Sequence, residues 1–300
     1  MDMQTILDWG VNVVLWFQQF HPVLDLPFKG FTLLGEEEFF MLLLPLVYWC
    51  LDRRTGARLA VVFLFSAWSN AVAKVLAAQP RPFQYDSRVL QLFDVTGGGL
   101  PSGHTQNTVV IWGYLAAQFR RPWLWIVAAA LMIFVPLSRI YLGLHFPTDL
   151  LGGYILGAGL LLIYLKLEPV VEAWLARCRL AWQIGLAVLV PALLLLIFPT
   201  SDESAVTGAA MLLGMGVGIP LERRRVGFEA AGPWPKRLLR LALGVAVLFA
   251  LRFGLKAAFD GLDPEPVFRF VRYSIIGLFA ALIAPWAFVR MRLAGALPRQ

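Results

Sequence analysis

The stretch TDLLGGYILGAGLLLIYLK, residues 148–166, carries Asp149 near one end and Lys166 at the other, with no charge between them. A hydrocarbon layer roughly 30 Å thick takes about 20 apolar residues of helix to cross. Inside lipid a chain must satisfy its backbone polar groups within the segment, which favours a helix. Working outward, apolar runs of similar length fall near 31–50, 57–78, 104–119, 122–137, 181–198, 205–221 and 238–258, with a further run over 271–289. Composition agrees: 59% of the 300 residues are hydrophobic and 15% charged, with mean hydropathy +0.70. Such a chain has too little polar surface to enclose a soluble core of this size. The expected fold class is all-α, a polytopic transmembrane helix bundle.

Residues 1–30 read differently. Ile6, Trp9, Val13, Trp16, Phe17 and Phe20 recur at helical spacing among Asp2, Asp8, Gln18 and Gln19, the pattern of an amphipathic helix lying in the membrane interface. No basic region precedes it, so a cleaved signal peptide is not expected. Cys50 and Cys178 form no CxxC pair and have no histidine nearby, which argues against a disulfide framework or a zinc site. No repeat of fixed period or low-complexity linker marks a soluble domain.

Basic residues concentrate in alternate loops: Arg53, Arg54 and Arg58; Arg120 and Arg121; Lys166, Arg177 and Arg179; the run from Arg223 to Arg240; and Arg290, Arg292 and Arg299. The positive-inside rule places these in the cytoplasm. The intervening loops, with Asp86 and Asp94, then Asp202 and Glu203, then Asp260, Asp263 and Glu265, are expected to face outward. The pI near 9.7 thus reflects topology. No nucleic-acid partner is expected, because no basic cluster sits in a soluble fold.

Two of the outward loops, 74–104 and 138–149, hold chemistry out of place beside a hydrocarbon layer, where an ionised side chain costs about 2.5–3.5 kcal/mol at mid-membrane. Lys74, Arg81, His104, Arg139, His145 and Asp149 gather there, including two of the three histidines of the chain. Lys74 and Arg81 lie either side of a span end closed by Pro82. Ser102 is placed to cap the helix that follows, and Gly103 lets backbone approach a ligand closely. The free N–H groups of that helix start, with the guanidinium fork of Arg139, suit a phosphate. His145 and Asp149 are four residues apart, with Pro147 positioned to open the next span. A carboxylate on one imidazole nitrogen fixes the tautomer and frees the other nitrogen to attack phosphorus. His104 remains to protonate a leaving oxygen and later deprotonate water. The expected chemistry is a two-step reaction through a phosphohistidine. Gly97, Gly98 and Gly99 lack the Gly-Lys-Ser/Thr of a nucleotide loop and read as flexible. Glu36, Glu37 and Glu38 read as helix-dipole partners, with a minority reading in which one touches the pocket.

In order and spacing these residues resemble the three-part signature of the type 2 phosphatidic acid phosphatase superfamily. Lys74, Arg81 and Pro82 match its Lys-x6-Arg-Pro block, residues 101–104 its Pro-Ser-Gly-His, and Ser138, Arg139, His145 and Asp149 its Ser-Arg-x5-His-x3-Asp. The resemblance implies that Lys74, Arg81, Ser102, Gly103 and Arg139 hold the phosphate, that His145 is the nucleophile, oriented by Asp149, and that His104 is the acid/base. It implies no metal and no cofactor. It covers residues 31 to 166, about half of the chain, and implies a six-helix-type phosphatase core over 31–179. Residues 180–300 add about three spans and a basic cytoplasmic loop. The loop from Glu222 to Arg240, with Trp234 flanked by Pro233 and Pro235, reads as a positive-inside loop, or alternatively as a docking element for a homodimer.

The resulting expectation is a lipid phosphatase of the bacterial inner membrane with its site on the periplasmic or extracellular side. Its substrate would be a lipid phosphate monoester or diphosphate: phosphatidic acid, phosphatidylglycerol phosphate, an isoprenyl diphosphate or a long-chain-base phosphate. A lipid phosphotransferase could use the same pocket, and a lipid transporter could use the same buried charges.

Overall fold

The computed structural model describes residues 2–198 and 202–297; Arg299, counted above among the basic residues of the tail, lies outside them. Apart from a two-residue antiparallel pairing of β1 (Phe228–Glu229) with β2 (Gly295–Ala296), the regular structure is helical. Among the described residues, seven helical segments are long and apolar enough to cross a membrane. The chain divides into two compact units, Met1–Phe40 with Ser69–Lys166, and Met41–Trp68 with Leu167–Gln300.

The first unit holds α1 (Met3–Gln18), α2 (Asp25–Leu33), the later part of α4 (Arg53–Ala77), the single turn α5 (Pro82–Tyr85), α6 (Gly103–Phe119), α7 (Pro122–Tyr141) and the first part of α8 (Pro147–Arg177). Proline at the first position opens both α7 and α8, where its missing N–H costs nothing and its φ is already helical. α8 then gains half of a capping box: the Asp149 carboxylate reaches back to the Phe146 N–H at 2.9 Å, an acid placed against the positive helix end. α7 turns into α8 through Gly143, φ +76°, where a Cβ would run into the Leu90 carbonyl. Only glycine fits that turn.

α6 and α8 meet through Gly153 and Gly157. A Cβ at Gly153 would stand 2.7 Å from the Ser102 carbonyl, and one at Gly157 2.9 Å from that of Gln106. Small residues one turn apart let two helix backbones close up, which in lipid replaces the hydrophobic drive for packing. That approach aligns the starts of the two helices.

α1 is helical as expected, but it buries Leu7, Val11, Val14 and Gln18 against the first unit and leaves Trp9, Trp16 and Phe20 exposed. Gln18 accounts for the different face: its amide clasps both backbone groups of Leu90, at 2.7 and 3.0 Å, and the Tyr141 carbonyl at 3.2 Å. An unbroken span over 31–50 does not form. α2 ends at Leu33, residues 34–36 leave the helix, and α3 (Glu37–Pro45) runs into a π-helical turn at Leu46–Leu51. Gly35 and three consecutive glutamates set the break.

In the second unit the basic residues expected in loops sit mostly on helices. Arg53, Arg54 and Arg58 open α4, and Arg177 closes α8. Arg53 pairs at 3.1 Å with Glu222 on α10 (Glu203–Arg225); Arg58 pairs with Glu168 and Glu172. The run 222–240 is not a free loop, since fully buried Arg240 donates to the carbonyls of Glu229, Ala230 and Ala231. Among the described residues, four helical segments follow residue 179: α9 (Leu180–Ile197), α10, α11 (Trp234–Ala258) and the run from α12 (Glu265–Leu278) to α13 (Ala284–Arg290).

The α6–α8 contact gives a direct test. Gly153→Ala is expected to lower the detergent melting temperature, because the added methyl must push α8 off α6. Gly159→Ala, where nothing lies within 4 Å, is expected to hold or gain stability by up to about 1 kcal/mol from helix propensity.

Candidate active site

The ends of α4, α6 and α7 and the link between α7 and α8 in the first unit border one cavity of about 450 Å³. Six of the eight residues singled out from the sequence line it: Lys74, Arg81, Gly103, His104, Arg139 and His145. Ser102 and Asp149 stand behind the wall, both fully buried. Ser102 caps α6, its hydroxyl accepting from the Thr105 N–H at 3.4 Å.

Asp149 anchors His145. One carboxylate oxygen accepts from His145 Nδ1 at 3.1 Å and from the Phe146 N–H; the other accepts from Gln79 Nε2 at 2.7 Å. On the far side of the ring, Nε2 lies 3.4 Å from Arg81 Nη1. A guanidinium only donates, so this contact and the carboxylate agree on one tautomer, with the proton on Nδ1 and the Nε2 lone pair free. His145 lies in the link between α7 and α8. Burial, then the positive charges of Arg81, Arg139 and Lys74, hold its imidazole well below the ordinary histidine range. A neutral ring with a bare nitrogen facing cations is a nucleophile suited to an anionic phosphorus centre.

The two arginines are held differently. Arg81 donates to three backbone carbonyls: Nε to Gly97 at 2.9 Å, Nη2 to Thr96 at 2.9 Å and Nη1 to Leu144 at 3.0 Å. The glycine run thus contributes a carbonyl to the cation, with the Gly99 N–H bonded to the Gln79 carbonyl at 2.8 Å. Arg139, 2% exposed, bonds the Thr32 hydroxyl and lies 3.2 Å from His104 Nε2. Its motif neighbour Ser138 turns away from the cavity, its hydroxyl bonding the Val135 carbonyl at 2.6 Å.

Glu36 had only a minority reading at the pocket in the sequence, and two further contributors, Asn70 and Gln106, were not singled out at all. Glu36, expected mainly as a helix-dipole partner, lines the cavity with its carboxylate 3.2 Å from His104 Nε2 and 3.5 Å from Arg139 Nη1. Asn70 donates to Gln106 Oε1 at 2.9 Å, and Gln106 to the Ser69 hydroxyl at 3.1 Å, so α4 and α6 are fixed by amides. A Cβ at Gly103 would stand 2.9 Å from Asn70 Oδ1, which makes this glycine a packing residue as well as a cavity wall. Amides within apolar runs were the available signal for Asn70 and Gln106.

The chain as a whole is similar to known proteins. Residues 55–171 match the PAP2 superfamily, and residues 206–296 match the PAP2 superfamily phosphatase transmembrane extension. The chain belongs to the PAP2 superfamily. It is similar to mouse sphingosine-1-phosphate phosphatase 2, at 27% identity over 65% of this chain and 56% of that protein. It is also similar to the undecaprenyl-diphosphatase of Sulfolobus acidocaldarius, at 30% identity over 39% of this chain and 56% of that one. Rat glucose-6-phosphatase 3 matches at 24% identity over 95% of both chains. The chain therefore spans just over half the length of the first two relatives. This PAP2 member is an integral membrane protein of a phosphatase superfamily, and the relatives' names cover lipid and sugar phosphates alike.

Three outcomes are expected of this geometry. Asp149→Asn should lower kcat by about 10²–10⁴, as the amide can present an N–H to Nδ1 and reverse the tautomer. The depressed His145 keeps its neutral form as pH falls through about 6.5, the ordinary histidine value. An acid limb due to its protonation should therefore lie well below that pH in a kcat/KM profile. The same depression makes the fold lose stability on acidification below about pH 6.5, where the unfolded histidine gains a proton that the folded one refuses.

Proposed function

We propose that this chain is a lipid phosphatase that cleaves a phosphate monoester or diphosphate through a phosphohistidine on His145. One observation carries the reading: a buried His145, tautomer-fixed by Asp149, opens on the same cavity as His104 and three cations. Lys74, Arg81, Arg139 and the start of α6 bind the phosphoryl oxygens, and their fixed positive charge stabilises the charge that builds in the transition state. His145 Nε2 attacks phosphorus and forms the P–N bond as the bond to the lipid oxygen breaks. His104 gives that oxygen its proton. Water then attacks the phosphohistidine, His104 takes a proton from it, and the P–N bond breaks to release inorganic phosphate and restore both rings. All reacting groups belong to the chain, so the reaction runs without a metal.

Membrane embedding supports a lipid rather than a soluble substrate, and the charge pattern of the loops supports a site facing the periplasmic or extracellular side of a bacterial inner membrane. The full-length similarity to a glucose-6-phosphatase keeps a sugar phosphate as the second reading.

The test is phosphate release by purified protein in detergent. The panel is short-chain phosphatidic acid, phosphatidylglycerol phosphate, an isoprenyl diphosphate, a long-chain-base phosphate and glucose 6-phosphate. Turnover should persist in EDTA, be blocked by vanadate, and fall by at least about 10³ in His145→Ala, as expected for loss of a nucleophile. Full activity in His145→Ala overturns the mechanism, and turnover of glucose 6-phosphate alone overturns the lipid assignment.

A further inference from the structure

Three residues outside every motif block hold the second histidine and its arginine, and all come from the broken helix at 32–36. A Cβ at Gly35 would overlap the His104 ring at Cδ2, so the glycine backbone lies flat against the imidazole. Glu36 Oε1 reaches His104 Nε2 at 3.2 Å and Arg139 Nη1 at 3.5 Å. Thr32, fully buried, takes a hydrogen bond from the same Arg139 nitrogen.

His104 Nε2 thus faces an acceptor and a donor at one distance, since Arg139 Nη1 is also 3.2 Å away. One nitrogen cannot serve both. Protonated at Nε2, the ring donates to Glu36; bare at Nε2, it accepts from Arg139. The charged groups around the ring are Glu36 on the α2–α3 link, Arg139 on α7 and Lys74 on α4, which lines the same cavity. Two cations oppose an imidazolium there, and one carboxylate supports it.

We infer that Glu36 is a positioning residue for His104, with Gly35 as the seat of the ring: the carboxylate holds the Nε2 proton and leaves Nδ1 to exchange protons with the leaving oxygen and the attacking water. The cavity then contains two carboxylate–imidazole pairs with opposite assignments. Asp149 holds His145 at Nδ1 and frees Nε2; Glu36 holds His104 at Nε2 and frees Nδ1. This rests on the proposed role of His104 as acid/base, and it adds a residue that the three motif blocks do not contain.

The test compares kcat, KM and pH profiles of the detergent-solubilised full chain, wild type against Glu36→Gln, Glu36→Asp, Gly35→Ala and Gly30→Ala, with short-chain phosphatidic acid as substrate. Glu36→Gln is expected to lose roughly tenfold or more in kcat, part of the 10²–10⁴ that a general acid–base step supplies, with KM changed less than about twofold. Its alkaline limb should move to lower pH by about one unit, because removing the carboxylate leaves the two cations unopposed and the acid form of His104 is lost sooner. Glu36→Asp should return the limb towards wild type. Gly35→Ala should lose kcat, while Gly30→Ala, with nothing within 4 Å of its Cβ, should not. Melting curves in the same detergent confirm that each variant is folded.

A Glu36→Gln enzyme with an unmoved alkaline limb overturns the inference, whether or not kcat falls. So does one whose KM drops while kcat rises, the sign of a carboxylate that merely competes with phosphate. His145→Ala, run in parallel, separates the two levels: if it turns over at the wild-type rate, the phosphatase mechanism itself fails, and if it is dead the fate of Glu36 is judged on its own limb.

Discussion

The buried carboxylate of Asp149 is the joint on which the first unit's polar interior depends. A charge with no exposure is tolerable only when its lone pairs are taken up by donors, and here three donors from two chain segments do so: the His145 ring, the Phe146 amide and the Gln79 side chain. The backbone of the same residue accepts the Ser102 N–H at 2.9 Å. One residue therefore ties the start of α8 to the chain beyond α4 and to the start of α6. The nucleophile is oriented by the same contacts that set the helix ends in register, so the site's geometry and the packing around it are a single construction.

Much of this was legible in the sequence, for reasons that differ by element. Spans with an uninterrupted apolar run, such as 122–137 and 148–166, could be placed because hydropathy reports directly on burial in lipid. Lys74, Arg81, His104, Arg139 and His145 stood out because charged groups are costly beside hydrocarbon, and the structure brings all five to one cavity. The break at 34–36 did not stand out, since the apolar residues on both sides hide it. For Glu36 the sequence favoured the lesser role: a run of glutamates at a helix start satisfies the dipole rule, and the long-range contact with His104 selects the alternative reading in which one of them reaches the pocket. Gln18, Thr32 and Gln79 act through hydrogen bonds across 70 or more positions of chain, and no local pattern encodes such a bond.

The superfamily match adds a division of labour to this picture. What the relatives share in name is removal of phosphate, from a sphingoid base, an isoprenoid diphosphate or a sugar. On the reading proposed above, the cations and imidazoles around the cavity address only that common group, and the organic part of the substrate is met by the rim at Gln91, Asp94 and Val95. The helices after residue 179, matched in part by the superfamily's transmembrane extension, join residues 41–68 and 167–179 in the second unit, which has its own ion pairs and core.

Arg81 is fixed by the carbonyls of residues 96, 97 and 144 and not by any side chain of the loop that surrounds it. Every amino acid brings a carbonyl, so the loop can change most of its side chains without releasing the cation. The mouth of the pocket can thus be rewritten side chain by side chain while the cation stays where the backbone holds it.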